Sequence, residues 1–105
     1  MIVRSAFLEG TVPDSDRERF DQLMRGPVLA AIGTYPGIRR VRLRRLLQAD
    51  EGTAPTYMVF DLYFDSLDAM DAALASPTRQ AVRQHIGQAM ALFKGRVYHQ
   101  VFDED

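Results

Sequence analysis

The chain switches between two spacings of apolar residues, and the order of those spacings predicts its fold class. Strand-like patterns, which alternate or are rich in β-branched and aromatic residues, cover residues 2–8, 38–47, 56–64 and 96–102. Apolar residues at helical spacing separate the first pattern from the second and the third from the fourth. The order is therefore strand, helix, strand, strand, helix, strand, which indicates an α+β domain.

The first helical segment carries a start signal and an internal proline. Ser15 and Glu18 have the spacing of a capping box, which predicts a helix start at this point. Apolar residues then recur from Phe20 to Ile32 in one register across Pro27. Because proline lacks an amide donor and crowds the preceding turn, we expect a kink that leaves the apolar face unrotated.

The second helical segment divides in two. Ser66 is expected to cap a helix with Leu67 facing inward, and Ser76 to cap the next helix, with Pro77 at its first position. Gly95 is expected to end that second helix. The inner stripe of the second helix is predicted to contain Ala81, Val82, His85, Ile86, Ala89, Met90 and Phe93.

Two strands have contrasting compositions. The second strand carries five arginines, which suit an edge that resists aggregation, a surface that meets acidic residues of a partner subunit, or a surface that attracts anions. The third strand is apolar on both faces, and Asp61 is its single charge. A buried carboxylate requires a partner, so we expect Asp61 to pair with Arg4 or Arg42.

Composition narrows the possible functions. A chain of 105 residues is expected to form one domain, residues 1–105, and the formal net charge of −1 argues against nucleic-acid binding. The sequence contains no cysteine and two histidines, which argues against a zinc site and predicts no metal. No bilayer-length apolar run or secretory leader is visible, so we expect a soluble cytoplasmic protein without a membrane partner.

Several short motifs resemble the EthD-like branch of the dimeric α+β barrel superfamily. They are Tyr35-Pro36-Gly37-Ile38 after the first helix, the aromatic third strand, the run from Phe64 to Met70, and Ala75-Ser76-Pro77. The resemblance covers nearly the whole chain. It implies a ferredoxin-like βαββαβ subunit with a four-stranded antiparallel sheet, helices on one face and a pocket between the two layers. It also implies that two subunits pack sheet to sheet.

The resemblance also sets the functional expectation. Relatives include aromatic polyketide cyclases, cofactor-independent anthrone-type monooxygenases, muconolactone isomerases, and EthD, an accessory of a haem monooxygenase. We therefore expect binding or transformation of a small aromatic or lactone-type metabolite without a cofactor. The alternatives are a non-catalytic accessory or ligand-binding homodimer and a haem-handling barrel that uses His85. Many EthD-like proteins carry a histidine late in the first helix, whereas residues 24–28 here read Met-Arg-Gly-Pro-Val.

A few residues are candidates for chemistry in such a pocket. An imidazole on an apolar face serves as a general acid or base if it borders a cavity, and tyrosine hydroxyls polarise carbonyl oxygens. Each candidate also has a structural alternative: a hydrogen-bonded core histidine, a cross-strand contact or aromatic packing. The catalytic candidates are His85, His99 and Tyr57. The substrate-binding candidates are Tyr63, Tyr98, Met90 and Phe20.

A homodimer follows from the third strand as well as from the resemblance. Alternate residues of this strand are apolar on both sides, while helices in a single layer cover one face of the sheet. Large exposed apolar patches are rare in soluble monomers. A second copy of the chain is the simplest cover for the other face.

Overall fold

The structure is a computed structural model that describes residues 1–105. Its single sheet has four strands: β1 (Ile2–Thr11), β2 (Arg40–Arg45), β3 (Thr56–Phe64) and β4 (Lys94–Asp103). The strands lie in the order β2-β3-β1-β4, and every neighbouring pair is antiparallel. The long strands β1 and β3 therefore form the centre of the sheet, with β2 and β4 at its edges.

The helices lie on one face of this sheet. They are α1 (Arg17–Leu23), α2 (Leu29–Ile32), α3 (Leu67–Leu74) and α4 (Thr78–Met90), and a 3₁₀ turn at Asp14–Asp16 precedes α1. Together with the strands they give the predicted ferredoxin-like βαββαβ order. None of the helices has the length and apolarity needed to span a bilayer.

The proline inside the first helical unit is absorbed by a wider turn. Residues Met24–Val28 form a π-helical turn between α1 and α2, with Pro27 inside it. Such turns occur where an extra residue or a missing donor interrupts the regular ladder. Phe20, Val28 and Ile32 are all buried on the same side, so the predicted retention of the apolar face is confirmed.

The pleat of the central strands divides the sheet into two surfaces. Even-numbered residues of β1 and β3 face the helices, and Ala6, Leu8, Phe60 and Phe64 lie in one core cluster there. We call the other surface the open face; it carries odd-numbered residues of β1 and β3, such as Ser5 and Asp61. A residue's parity along these strands therefore decides whether it meets the helices or the open face.

The predicted helix caps are confirmed at one position and wrong at the others. Ser66 accepts a hydrogen bond from the amide of Ala69 at 3.1 Å, as expected of an N-cap. Ser15 lies inside the 3₁₀ turn and caps nothing, because Asp16 occupies the N-cap position of α1. Ser76 instead donates its hydroxyl to the carbonyl of Ala73 at the end of α3. Leu67 is 53% exposed rather than buried.

Gly95 is a strand residue, not the predicted helix stop. It lies directly opposite Gly10 across β1 and β4, and both have left-handed φ values, +153° and +151°. An ideal Cβ on Gly10 would lie 2.1 Å from the carbonyl oxygen of Lys94, and one on Gly95 equally close to that of Glu9. Only a pair of glycines fits this close approach of the two backbones.

The buried carboxylate of the open face has an arginine partner, as predicted, but a different one. Asp61 accepts the hydroxyl of Ser5 at 2.6 Å, the Arg44 Nε–H at 2.7 Å and the Arg44 Nη2–H at 3.1 Å. Arg42 stands opposite Asp61 in the register, yet its Nη1 donates to the Tyr63 hydroxyl at 3.2 Å.

Arg4 was the other expected partner of Asp61, and the strand register excludes it. Arg4 is paired with Leu62 rather than with Asp61, so its side chain leaves the sheet on the helix side. The two groups are therefore separated by the sheet itself. Asp61 is neutralised on the open face without Arg4, so the charge of Arg4 on the helix side has to be accounted for separately.

Replacement of Asp61 by alanine should destabilise the protein by about 2 kcal/mol, because Ser5 and part of Arg44 would lose their buried acceptor. Denaturant unfolding at fixed protein concentration measures this loss. Asp65→Ala is the matched control, since the Arg39–Asp65 ion pair at 2.6 Å is exposed on both sides and its removal should change little. Equal effects of the two substitutions would contradict the structural role assigned to Asp61.

Candidate ligand-binding site

A cavity of about 230 Å³ lies between the sheet and the helices, and we call it the helix-side cavity. Nine of its thirteen lining residues are hydrophobic. The sheet contributes Phe60, Leu62 and Val97, and α4 contributes an apolar stripe that includes Val82 and Ile86. The helical spacing of that stripe is the amphipathic pattern visible in the sequence.

The polar part of the cavity wall is cationic. Arg4 comes from β1, Arg79 and Arg83 come from α4, and His99 comes from β4. Tyr35, in the turn after α2, adds a hydroxyl. No aspartate or glutamate lines the cavity.

Arg4 reaches the cavity because of its position in β1. It lies between Ile2 and Ala6 on the helix-facing side of an inner strand, opposite Leu62 on β3 and Val101 on β4. Burial lowers the pKa of its guanidinium, and the charge of Arg79 lowers it further, although Asp71 acts in the opposite direction. Arg4 is thus a partly desolvated cation in otherwise apolar surroundings.

His99 is held next to these arginines by the register of β4. It lies opposite Ala6, which makes it a diagonal neighbour of Arg4 on the same face of the sheet. Burial of the imidazole, followed by repulsion from Arg4 and Arg79, lowers its pKa to about 4. The residue as a whole is nevertheless exposed at the edge strand, so solvent screens part of this effect. At neutral pH the ring is therefore uncharged.

Tyr35 and Arg79 complete the polar wall. Burial raises the pKa of the Tyr35 hydroxyl, while the nearby charges of Arg79, Arg4 and Arg83 act against that shift. The hydroxyl is therefore a neutral hydrogen-bonding group at neutral pH. Arg79 donates one hydrogen bond of 3.4 Å to the carbonyl of Leu74, which leaves most of its guanidinium donors free.

The cavity contains two of the seven residues predicted from the sequence, His99 and Met90. His85 was expected at its wall but is not among the lining residues. Ile86 and Met90 face the cavity, and His85 is turned about 100° from Ile86 around α4. Its Nδ1 atom is buried without a hydrogen-bond partner. The chemical roles suggested for both histidines stay predictions.

Tyr57 and Phe20 belong to the core rather than to the cavity. Their rings make an edge-to-face contact with centroids 5.4 Å apart, and the Tyr57 hydroxyl donates to Asp21 at 2.8 Å. The register of β1 and β3 shifts between Leu8 and Glu9, where such an irregularity changes the direction of a side chain. Tyr57 therefore joins the helix side, although strict alternation places it on the open face.

Tyr63 and Tyr98 lie on the open face, so the sheet separates them from the cavity. Tyr98 stacks on Phe7 with ring centroids 5.0 Å apart. The Tyr63 hydroxyl donates to Glu104 at 3.2 Å and accepts from Arg42. Both residues are thus placed to act in packing on that face rather than in the cavity.

The sequence interpretation missed Arg4, Arg79, Arg83 and Tyr35 as cavity residues. The signal for Arg4 was present, since it is the single charge within the apolar run at residues 2–8 and shares the parity of Ala6 and Leu8. Arg79 and Arg83 are spaced like residues that face water, and only the tertiary structure brings them over the cavity.

No family model and no curated protein sequence matches this chain. Solved structures do match it. An EthD family protein from Bacillus halodurans is 19% identical, with a TM-score of 0.76 and 100% of both chains covered. A dimeric ferredoxin-like protein of unknown function from Jannaschia is 15% identical, with a TM-score of 0.68 and 99% of this chain and 100% of that one covered.

A third match is SnoaB, a cofactor-independent oxygenase from Streptomyces nogalater. It is 21% identical, with a TM-score of 0.60 and 98% of this chain and 90% of that chain covered. Structural matches at these identities show the fold alone. The chain therefore has the ferredoxin-like fold of EthD-type proteins, as the sequence motifs suggested.

The low pKa of His99 predicts a loss of stability in mild acid. Its ordinary value is 6.5 and its native value is about 4, so the unfolded chain takes up a proton first as the pH falls. The stabilising contribution is complete above pH 6.5 and is lost between pH 6.5 and 4. Unfolding free energies in this range should fall less steeply for His99→Gln than for the unaltered protein. An NMR titration that places the His99 imidazole near its ordinary pKa would contradict the assignment.

Proposed function

We propose that this protein binds a small aromatic or lactone-type metabolite in the helix-side cavity. The observation that carries the proposal is one cavity in which an apolar wall faces a few convergent polar groups, Arg4, Arg79 and His99. A volume of about 230 Å³ lies just below the range of roughly 300–1,000 Å³ that drug-sized ligands occupy. The size favours a ligand with a single ring.

A reaction on the bound molecule is the further candidate, and His99 favours it. With a pKa of about 4 the free imidazole is a weak base, and a bound anionic oxygen would raise that pKa and make the ring a better proton acceptor. Adjacent guanidinium groups stabilise negative charge that develops on an oxygen. This combination suits removal of a proton next to a carbonyl, with the enolate oxygen held by the arginines. The candidate general base is therefore His99 rather than His85, because only His99 lines the cavity.

Two alternatives differ in what they require. A non-catalytic accessory or ligand-binding role requires only the cavity, and binding without turnover would support it. A haem-handling role requires a histidine that faces a space large enough for a macrocycle. His85 is outside the lining of a cavity of about 230 Å³, so the haem alternative has little support.

We also propose a homodimer formed through the open face. Phe7 and Tyr98 form a stacked pair there, and Phe102 is 47% exposed beside Val3. Without a partner, these aromatic rings are partly exposed to solvent. Two copies related by a two-fold axis would each cover the other's exposed rings. Dimeric association of ferredoxin-like neighbours of the same fold supports this arrangement.

The dimer predicts a solution mass of about 24 kDa, twice the 11.9 kDa of one chain. Phe102→Asp places a charge on the open face and should shift the population toward 12 kDa, because a buried unpaired charge weakens an apolar interface. Light scattering at micromolar concentration measures both. Leu47→Asp is the control, since Leu47 lies in the loop after β2 and is 90% exposed. A monomeric unaltered protein would contradict the dimer.

Occupation of the cavity predicts a localised NMR response. Phenol and δ-valerolactone, two neutral one-ring probes, should shift resonances of Val82, Ile86 and Met90. Val97→Trp should abolish this response, because the larger side chain fills the cavity. Val101→Trp is the matched control, since Val101 lies on the same face of β4 but does not line the cavity. A response that survives Val97→Trp, or no response to either probe, would overturn the proposed binding site.

A further inference from the structure

The helix-side cavity has an excess of positive charge that the fold does not neutralise. Arg4, Arg79 and Arg83 line it, and none of them takes part in an ion pair. Five of the nine arginines outside the cavity form ion pairs, among them Arg44 with Asp61 at 2.7 Å and Arg96 with Glu9 at 2.7 Å. The cavity is distinguished by three unpaired arginines that share one wall with no carboxylate in it.

We propose that the cavity selects a one-ring ligand that carries an acidic oxygen group, a carboxylate or an enolate, bound by Arg4 and Arg79 while the ring packs on the apolar wall. This inference rests on the proposed function and adds the charge of the ligand. Guanidinium groups bind such oxygens by charge-assisted, often bidentate hydrogen bonds. The ring would contact Leu62, Val82 and Ile86.

The position of Arg4 is the strongest part of the argument. An arginine on the surface of the sheet that faces the core loses hydration, and such a loss is unfavourable unless a partner replaces the water. Asp71 on α3 acts on Arg4 by its charge but forms no ion pair with it. Unpaired arginines on the outer surface, such as Arg19, remain hydrated and require no such explanation.

His99 and Tyr35 are consistent with the same ligand. Both are uncharged at neutral pH, so neither opposes an anion, and the Tyr35 hydroxyl is able to donate to an acidic oxygen. The groups that face His99 are Arg4 on β1 and Arg79 on α4, with Arg83 also on the cavity wall and Asp71 near Arg4. An anion placed between the two arginines and His99 would reduce the repulsion that a protonated imidazole meets.

The direct test compares benzoate with benzamide, which have the same ring and nearly the same size but differ in charge. Isothermal titration at neutral pH should show benzoate binding at least about tenfold more tightly, the difference expected from one charge-assisted contact. Arg4→Met and Arg79→Met should each weaken benzoate binding much more than benzamide binding and so remove most of that preference. Arg19→Met, which removes an exposed arginine outside the cavity, should leave the preference intact.

The outcomes separate this inference from the proposed function. If benzamide binds in the cavity as tightly as benzoate, the cavity is a ligand site but the charge selection is wrong. A loss of preference in Arg19→Met equal to that in Arg4→Met would also overturn it, because the effect would then come from net charge. If neither molecule binds, the proposed function itself fails. Arg79→Met is the safeguard against misfolding, since Arg79 lies on the outer helix layer rather than in the sheet.

A second readout uses the imidazole of His99. Benzenesulfonate stays anionic across the pH range of the titration, and at saturation it should raise the pKa of His99 above its free value of about 4. Benzenesulfonamide, the neutral counterpart, should leave that pKa where it is. An unchanged pKa with bound sulfonate would place the anion away from Arg4 and Arg79 and contradict the proposal.

Discussion

One charged residue lies on the core-facing side of a strand, and the proposed ligand site depends on it. Arg4 occupies a helix-facing position of β1, where its neighbours along the strand are Ile2 and Ala6. The alternation of side chains leaves it no route to the open face. Leu8 and Phe64 are fully buried beneath the helices, whereas the guanidinium of Arg4 borders the helix-side cavity.

Charged groups are neutralised by the chain on one face of the sheet and are left without a carboxylate partner on the other. On the open face Asp61 is enclosed by Ser5 and Arg44, so every charge buried there has a partner from the same chain. On the helix side Arg4, Arg79 and His99 converge without a carboxylate among the lining residues. The chain neutralises the buried charge of the open face but places no carboxylate in the cavity wall beside the arginines of the helix side. This difference supports a ligand from solution as the partner of those arginines. The fold thus determines where positive charge is left unpaired, and that position is where the ligand is proposed to bind.

Sequence pattern predicted the order of the elements, because strands and helices differ in the period of their apolar residues. It failed where the backbone departs from regularity. The register shift near Leu8 turns Tyr57 to the helix side. The close approach of Gly10 and Gly95 places Gly95 inside a strand, although it was predicted to end a helix. His85 was favoured because it lies on an apolar helix stripe, yet that stripe is wider than the cavity. Arg79 and Arg83 have polar spacing on α4, so only the packing of α4 against the sheet reveals their role.

The central claim is that an acidic oxygen group of a one-ring ligand binds beside Arg4. A crystal structure of the protein soaked with 4-bromobenzoate tests it most directly, because anomalous scattering marks the bromine end and the carboxylate then has a defined position. The account predicts the ring on the apolar wall of the helix-side cavity and the carboxylate within hydrogen-bonding distance of Arg4 and Arg79. Bromine density on the open face, or a ligand in the cavity with its carboxylate turned away from both arginines, would contradict it.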